Sequence, residues 1–386
     1  MKKVAILTRR AGYNMGSSLQ AYAMQRLVEK TGNEATIINY DEYAHDWRWR
    51  VKPMFRRISG WLSIIFYPVV KVLNESFCSS QRNGHIQRKK FDSFEKQYLN
   101  LTPGKYESSR QIASIKDNYD AFVCGSDQIW SPGLFDRTFY LDFITKGDGP
   151  KKISYAPSIA CDRADQLLNE QLMLIKDFDN ISCREKIGAE ILSKSLGVQV
   201  PNVLDPTLMI GKEEWINMLP ENFKYPKGKY ILCYFLHSKD NTDDSPDEIV
   251  SKIAKKMGCE VINVRMHNLP ECLTVGKKVE TLSPVEFLAL LSNAEMVLSN
   301  SFHATVFSII FNRKFYAFSR KFRDGNKVNQ NSRIKSLLEL VGLQDRNVDY
   351  SVSVDRISID EYPYPDLVKL DNARANSLHY LMDSLA

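Results

Sequence analysis

The chain has 386 residues, a length that predicts two or three domains with sizeable cores. Hydrophobic residues make up 44% and charged residues 25% of the chain, with 18 glycines and 15 prolines, which excludes a disordered, collagen-like or disulfide-stapled protein. The 52 basic and 46 acidic side chains give a net charge of +6, which suits an anionic small molecule or a membrane surface as well as a nucleic acid.

The cysteines and the apolar stretches indicate the compartment. Seven cysteines without a CxxC pair predict thiols used as small core residues under reducing conditions, not a disulfide framework or a zinc site. The apolar stretch between Lys3 and Arg9 is too short for a signal peptide. The longest apolar stretch, 61–73, is broken by Pro68 and Lys71 and is too short to span a bilayer. We therefore expect a cytoplasmic protein.

Short β-rich runs alternate with helical patterns over residues 1–204, which predicts βα units around a parallel sheet. A helical pattern from Leu19 ends near Gly32, and a helix over 184–196 ends at Gly197. The predicted strands are 4–7, 35–38, 121–124 and 152–155. Residues from about 41 to 118 are expected to form an irregular insert.

The same alternation restarts after Asp205, which predicts a second βα domain over 205–386. Its predicted strands are 230–235, 261–264, 296–298 and 315–317, and its predicted helices are 248–257 and those that start near 283 and 303. The expected fold class is therefore α/β, with two doubly wound Rossmann-like domains and a cleft between them.

Ligands of open parallel sheets bind beyond the carboxyl ends of the strands, so each strand-to-helix junction is a candidate site. The first junction, 12–20, combines glycines with Asn14, Ser17 and Gln20 before a helix start, which favours an anion or sugar hydroxyls. An ordinary turn with a serine cap is the alternative. The GxGxxG pattern is absent, which argues against a dinucleotide enzyme.

The second junction follows the strand 121–124. It places Ser126, Asp127 and Gln128 beside Trp130, a composition that suits a sugar. The alternative is that one of these polar residues caps a helix and that the tryptophan belongs to the core.

At the third junction, Arg184 opens the helix 184–196. An arginine in the first turn opposes the helix dipole, so a compensating anion is expected there. Because a guanidinium binds a phosphate or carboxylate with two parallel hydrogen bonds, a ligand could supply that anion. The alternative is an ion pair with Glu185 or with another carboxylate of the fold.

The fourth junction turns at Asn300 and Ser301 and places His303 at the start of a helix. An imidazole suits proton transfer, and the backbone N–H groups of a helix start suit a phosphate. A histidine that is only part of the core is the alternative.

The sequence predicts no metal site, because HExxH, CxxC and DxD patterns are all absent. The basic and aromatic residues of 48–57, followed by the apolar stretch 61–73, predict that 48–73 is an interfacial anchor for anionic membranes. A solvated insert is the alternative, and a nucleic-acid face is disfavoured because acids are mixed with bases elsewhere.

Over about residues 12–318 the sequence resembles the polysaccharide pyruvyl transferase family. The motifs that carry the resemblance are Asn14–Tyr22, Gly125–Trp130, Ser154–Ser158, Ser182–Glu185, Val203–Thr207 and Ser301–Ala304. The resemblance implies a fold similar to GT-B glycosyltransferases, with the C-terminal helix, about 363–385, returning to the first domain. It also implies transfer of the enolpyruvyl carbons of phosphoenolpyruvate onto two sugar hydroxyls as a cyclic ketal.

The resemblance also implies roles for the junction residues. His303 is the expected general acid or base, with Arg184 beside it at the donor, and phosphoenolpyruvate is a co-substrate rather than a cofactor. The donor-binding residues are expected to be Arg184, Asn300, Ser301 and Arg320. The acceptor-binding residues are expected to be Asn14, Ser17, Gln20, Ser126, Asp127 and Gln128. The acceptor would be a glycan or lipid-linked sugar of an exopolysaccharide or capsule precursor at the inner face of the membrane.

One departure separates this chain from many members of that family. They carry an arginine two residues before the motif histidine and a glycine just after it, where this chain has Ser301 and Ala304. Another cation must then bind the donor, and the candidates are Arg313, Arg320, Lys321 and Arg323. A GT-B glycosyltransferase that uses a nucleotide sugar and a non-catalytic glycan-binding protein of the same fold are the alternative functions.

Overall fold

In the computed structural model of the protein, two parallel β-sheets organise the chain. The structure describes residues 1–10, 12–44, 67–147, 149–236, 245–266, 271–320, 331–359 and 362–386, with side chains from residue 82 onward in the helix that begins at Tyr67. Each sheet and the helices packed on it are called the first and the second unit below.

The first unit contains a four-stranded parallel sheet in the order β2-β1-β3-β4. Its strands are β1 (Lys3–Leu7), β2 (Glu34–Ile37), β3 (Ala121–Cys124) and β4 (Lys151–Ser154). Both faces of this sheet are buried, because Val4 and Ile6 pack into one apolar cluster while Ala5 and Leu7 pack into another. Strands that are apolar on both sides are typical of parallel sheets covered by helices.

The second unit contains a six-stranded parallel sheet in the order β10-β9-β8-β5-β6-β7. Its strands are β5 (Tyr230–Tyr234), β6 (Glu260–Val264), β7 (Lys277–Val279), β8 (Met296–Ser299), β9 (Lys314–Phe318) and β10 (Asn347–Val348). This sheet is also covered on both faces, since Leu232 and Ile231 pack into different apolar clusters.

The helices of the described residues follow the predicted alternation. They are α1 (Met15–Lys30), α2 (Tyr67–Tyr98), α3 (Ser109–Ala113), α4 (Asn169–Lys176), α5 (Lys186–Leu196), α6 (Lys212–Ile216), α7 (Asp247–Met257), α8 (Pro284–Ser292), α9 (Phe302–Ile310), α10 (Asn331–Leu340) and α11 (Leu367–Leu385). Local signals set their ends: Gly197 ends α5 in the left-handed conformation, and Ser283 forms a capping box with Glu286 at the start of α8. The predicted fold class, α/β with two doubly wound Rossmann-like sheets, is confirmed.

The insert over 41–118 is less irregular than the sequence predicts, because it contains the 32-residue helix α2. Within it Phe91 and Phe94 are buried, and the Tyr98 ring packs against that of Tyr22 on α1. The helical pattern was missed because these few apolar residues are separated by charged ones. Residues 48–66 lie outside the described residues, so the membrane-anchor prediction for 48–73 stays a prediction. Within the described residues, no helix is long and apolar enough to cross a membrane.

One apolar core joins the two units. The cluster that contains Ile6 of the first sheet also contains Leu232 of the second. Between them the Trp215 ring contacts the rings of Tyr22 and Phe307, with centroids 5.6 and 5.0 Å apart. The units therefore pack directly on each other.

The last helix, α11, packs on the first unit although it follows the second sheet in the chain. The Tyr380 hydroxyl donates to the backbone oxygen of Ser154 at 2.8 Å, and Ser377 Oγ accepts from the backbone nitrogen of Leu204 at 2.9 Å. Along the chain, residues 155–229 connect the last strand of the first sheet to the first strand of the second sheet. The domain boundary predicted at 204/205 falls within this connection and stays a prediction.

We predict that Tyr380→Phe lowers the free energy of unfolding by about 1 kcal/mol, because it removes one partly buried hydrogen bond. Tyr380→Ala should cost about 2–4 kcal/mol, because the ring packing is lost as well. Urea denaturation measures both values. His379→Ala is the matched control, since that side chain is 78% exposed. An equal loss in the control would contradict a specific role for the α11 contact.

Candidate active site

A buried carboxylate, Asp205, lies where the two units meet. Its Oδ1 accepts hydrogen bonds from the backbone and hydroxyl of Thr207 at 3.0 and 2.6 Å. Its Oδ2 lies 2.6 Å from Arg184 Nη1 and 3.6 Å from His303 Nε2. Burial raises the pKa of Asp205, but the charges of His303 and Arg184 and the bond from Thr207 outweigh it and hold that pKa below its ordinary value. The carboxylate therefore stays ionised.

Arg184 occupies a different position from the one predicted. It precedes Glu185, the N-cap of α5, so the helix-dipole argument does not apply and the alternative of an ion pair within the fold is correct. Its Nη1 pairs with Asp205, its Nη2 lies 3.7 Å from Asp127 Oδ1, and its guanidinium lies 4.5 Å from the Phe302 ring centre. Nη2 is buried without a hydrogen-bond partner. One edge of the guanidinium thus remains available to a ligand.

His303 lies in the first turn of α9, at the helix start where the sequence places it. The helix is capped by Ser301, whose Oγ accepts from the backbone of Ala304 at 3.5 Å. The imidazole is buried, and its Nε2 has no hydrogen-bond partner. On its other side, a Cβ atom at Gly16 would overlap Nδ1. The first turn of α1 therefore touches a histidine of the second unit, and only glycine leaves room for that contact.

Asp127 completes the carboxylates of the cluster. Its backbone is in the left-handed region (φ 66°), and its Oδ2 accepts from Ser17 Oγ at 2.7 Å. Burial raises the pKa of Asp127, but the charges of His303, Arg184 and Arg333 outweigh that effect and hold the pKa below its ordinary value. The cluster therefore contains two ionised carboxylates.

Other residues predicted to bind the acceptor make hydrogen bonds within the fold. Asn14 caps α1 by accepting from the backbone of Gly16 at 2.9 Å, in place of the serine cap considered above. Gln20 Oε1 accepts from the backbone of Ser126 at 3.2 Å, and Ser126 Oγ donates to the backbone oxygen of Ala156 at 2.7 Å. Their role in acceptor binding stays a prediction.

The aromatic residue of the second junction belongs to the core. Trp130 is fully buried, with its ring stacked on Tyr140 and edge-on to Phe178. It cannot stack on a sugar, so the expected sugar-binding composition at this junction reduces to its polar residues.

The predicted donor residues Asn300 and Arg320 lie together beyond the carboxyl ends of β8 and β9. The Asn300 amide bonds to both backbone groups of Leu236, at 2.7 and 3.0 Å, and its backbone oxygen accepts from Arg320 Nε at 3.2 Å. Burial lowers the pKa of Arg320. Asn300 thus fixes the chain after β5, and donor contacts of both residues stay predictions.

Of the remaining cations proposed for the missing arginine, Arg313 lies in the described part of the chain and away from the cluster. Arg313 precedes β9, so it lies at the amino end of the strand, opposite the edge where His303 follows β8. Lys321 and Arg323 lie outside the described residues.

A second arginine, Arg333 on α10, lies beside the cluster and was missed by sequence reasoning. Its guanidinium is 5.8 Å from the Phe302 ring centre. With its amide oxygen turned toward Arg333, Gln128 accepts from both Nη atoms at 2.5 and 2.6 Å. Burial and the neighbouring charge of Arg184 lower the pKa of Arg333 to about 9.

The sequence does contain one signal for Arg333. The residue lies four positions before Leu337, and both are buried on the same face of α10. Arginine is almost never buried without a partner, so its presence on an apolar helix face indicates a polar contact. The nature of that contact is visible only once α10 is placed next to Phe302.

The cluster has the groups needed to hold an anion and to move a proton. Two arginines flank Phe302. Arg184 Nη2 and His303 Nε2 are buried without a hydrogen-bond partner, although they lie 3.7 and 3.6 Å from a carboxylate oxygen, and both side chains face the same Asp205 oxygen. Buried polar atoms normally have partners, so such a pair indicates where a polar ligand binds.

Solved structures with a similar chain fold include two epimerases and one transferase. A UDP-GlcNAc 2-epimerase from Methanocaldococcus jannaschii, in complex with UDP-GlcNAc and UDP, is 16% identical, with 98% of this chain and 93% of that chain covered and a TM-score of 0.46. The enzyme from Neisseria meningitidis bound to UDP-GlcNAc is 9% identical, with coverages of 99% and 100% and a TM-score of 0.46. An Escherichia coli heptosyltransferase with ADP-2-deoxy-2-fluoro heptose is 12% identical, with coverages of 87% and 99% and a TM-score of 0.37.

No curated protein matches the chain. The model of the polysaccharide pyruvyl transferase family matches residues 14–321, most of the chain. That span contains Asp127, Arg184, Asp205 and His303. The chain belongs to the polysaccharide pyruvyl transferase family.

Proposed function

We propose that this protein transfers the pyruvyl carbons of phosphoenolpyruvate onto two hydroxyls of a sugar and forms a cyclic ketal. Membership of a transferase family supports this reaction class. The observation that carries the proposal is the convergence of Arg184 and His303 on one oxygen of Asp205, each with a buried nitrogen that lacks a hydrogen-bond partner. The phosphate and carboxylate of the donor supply acceptors for such nitrogens.

Arg184 and Arg333 are the proposed donor-binding residues. Both guanidinium groups lie against Phe302, and the pKa of Arg333 is lowered because its burial and Arg184 disfavour its charge. A bound dianion would favour the charged form of both guanidinium groups. Arg333 therefore supplies the positive charge that Ser301, in place of an arginine, does not.

His303 is the proposed proton carrier. It donates a proton to the methylene carbon of the donor, which becomes a methyl group and leaves an oxocarbenium-like centre at the adjacent carbon. A sugar hydroxyl adds to that carbon and returns its proton to the imidazole. The bond to phosphate then breaks, and the second hydroxyl closes the ring while its proton leaves with the phosphate. Asp205, ionised and 3.6 Å from Nε2, stabilises the protonated imidazole.

The proposal is tested by incubating the protein with phosphoenolpyruvate and a panel of sugar glycosides. We expect phosphate release that depends on the sugar, and an acid-labile pyruvate adduct detected by mass spectrometry. Sugar transfer from a nucleotide sugar without use of phosphoenolpyruvate would make the protein a glycosyltransferase instead. Sugar binding without either reaction would make it a glycan-binding protein.

We predict that His303→Gln lowers turnover by about two or more powers of ten and leaves donor affinity nearly unchanged, since glutamine keeps hydrogen bonding but not proton transfer. Arg184→Lys is the contrasting variant: it keeps the charge but loses the two-pronged hydrogen bonding, so the KM for donor should rise first. Steady-state phosphate release separates the two effects. Near-normal turnover in His303→Gln would show that this histidine is structural.

We predict that Arg333→Gln weakens donor binding by about tenfold or more, the loss expected for hydrogen bonds to a charged group. In the Arg333→Gln background, Ser301→Arg should restore part of the donor affinity. Isothermal titration with phosphoenolpyruvate measures each effect.

Arg163→Gln is the matched control, because that side chain is 68% exposed and pairs only with the exposed Asp165 among the described ion pairs. Unchanged donor affinity in Arg333→Gln, or the same loss in Arg163→Gln, would contradict the role given to Arg333.

A further inference from the structure

A cavity of about 450 Å³ lies in the first unit, next to the cluster but outside it. It opens beyond the carboxyl ends of β1 and β2, the edge of a parallel sheet where ligands bind. Three tyrosines, Tyr13, Tyr40 and Tyr43, are among its lining residues. Its volume falls in the range of small-molecule sites, about 300–1,000 Å³.

The described lining of the cavity is net acidic. Its charged residues are the acids Asp41, Asp92, Glu95 and Glu107 and the bases Arg10 and Lys105. Both bases are paired, Arg10 with Glu95 and Lys105 with Asp41, each at 2.7 Å. Among the described lining residues, four acids and two bases leave a formal charge of −2. Such a lining disfavours an anion such as phosphoenolpyruvate relative to a neutral polar ligand.

One loop separates the cavity from the histidine. Gly12 lines the cavity, where its Cβ position would lie 3.2 Å from the Tyr43 hydroxyl, and Gly16 touches the His303 imidazole. Four residues of chain span at most about 14 Å. An ion pair between Arg9 and Glu42, at 2.6 Å, fixes this loop to the segment that follows β2. The cavity is therefore within reach of a ligand that also contacts the cluster.

We propose that this cavity binds a neutral sugar residue of the acceptor glycan, adjacent to the sugar whose hydroxyls react. The inference rests on the proposed function. Tyrosine rings pack on the C–H faces of a sugar, and ionised carboxylates accept hydrogen bonds from its hydroxyls. The cavity favours the neutral acceptor over the anionic donor, because its described lining is net acidic.

The test uses the full-length protein and saturation-transfer NMR with methyl glycosides of neutral hexoses and N-acetylhexosamines. Each neutral sugar is compared with its matched uronic acid. We expect neutral sugars to bind at least about tenfold more tightly than the uronic acids. A tenfold difference in Kd corresponds to about 1.4 kcal/mol of binding free energy. Equal or tighter binding of the uronic acids, or no binding of any neutral sugar, would overturn the inference.

Variants locate the binding. Tyr43→Ala should weaken neutral-sugar binding by about tenfold or more, whereas Tyr364→Ala, at a tyrosine that is 76% exposed, should not. Asp92 is exposed, so Asp92→Asn should keep the fold and reduce the discrimination against uronic acids. The sugar binds elsewhere if Tyr43→Ala binds neutral sugars as tightly as the unmodified protein does and Asp92→Asn keeps the same preference for neutral sugars over uronic acids.

Failure of the cavity inference can be told apart from failure of the proposed function. If phosphoenolpyruvate is not consumed but sugar binding depends on Tyr43, the cavity is a sugar site and the proposed reaction is wrong. If phosphoenolpyruvate is consumed and Tyr43→Ala changes neither sugar binding nor the KM for the acceptor, the cavity inference alone is wrong.

Discussion

The Asp205 carboxylate is the group on which the arrangement of the site depends. It is buried and ionised, and a buried charge persists only when other charges and hydrogen bonds compensate it. Thr207 satisfies one of its oxygens, while Arg184 and His303 face the other. The chain between the two sheets thus carries the charge that holds an arginine of one unit near a histidine of the other.

The surroundings of this carboxylate differ from those of the nearby cavity. Around Asp205 cations and carboxylates alternate, and Arg184 and Arg333 both lie against Phe302. On the other side of the loop that contains Gly12, the described lining of the tyrosine-containing cavity is net acidic. Under the proposed function only the first of these places offers guanidinium groups to an anionic donor.

The order of strands and helices could be predicted because its signals are local: apolar strands, capping residues and Gly197. The approach of Arg184 and His303 could be predicted as well, because each lies at a junction before a helix, where open parallel sheets bind ligands. Arg333 could not, since its role depends on how α10 packs on Phe302, and it lies outside the matched residues 14–321. The choice between a sugar site and the core for Trp130 stayed open, because a sequence cannot show which way an aromatic ring beside polar residues points.

The contact between Gly16 and His303 bears on the timing of the reaction. Gly16 belongs to the first unit and His303 to the second, and the His303 and Arg184 side chains are only 7% and 3% exposed. Under the proposed function, a movement that opened this site to substrates would withdraw Gly16 from the imidazole, and the proton carrier would regain its full surroundings only on closure. Such closure would limit loss of the donor to water.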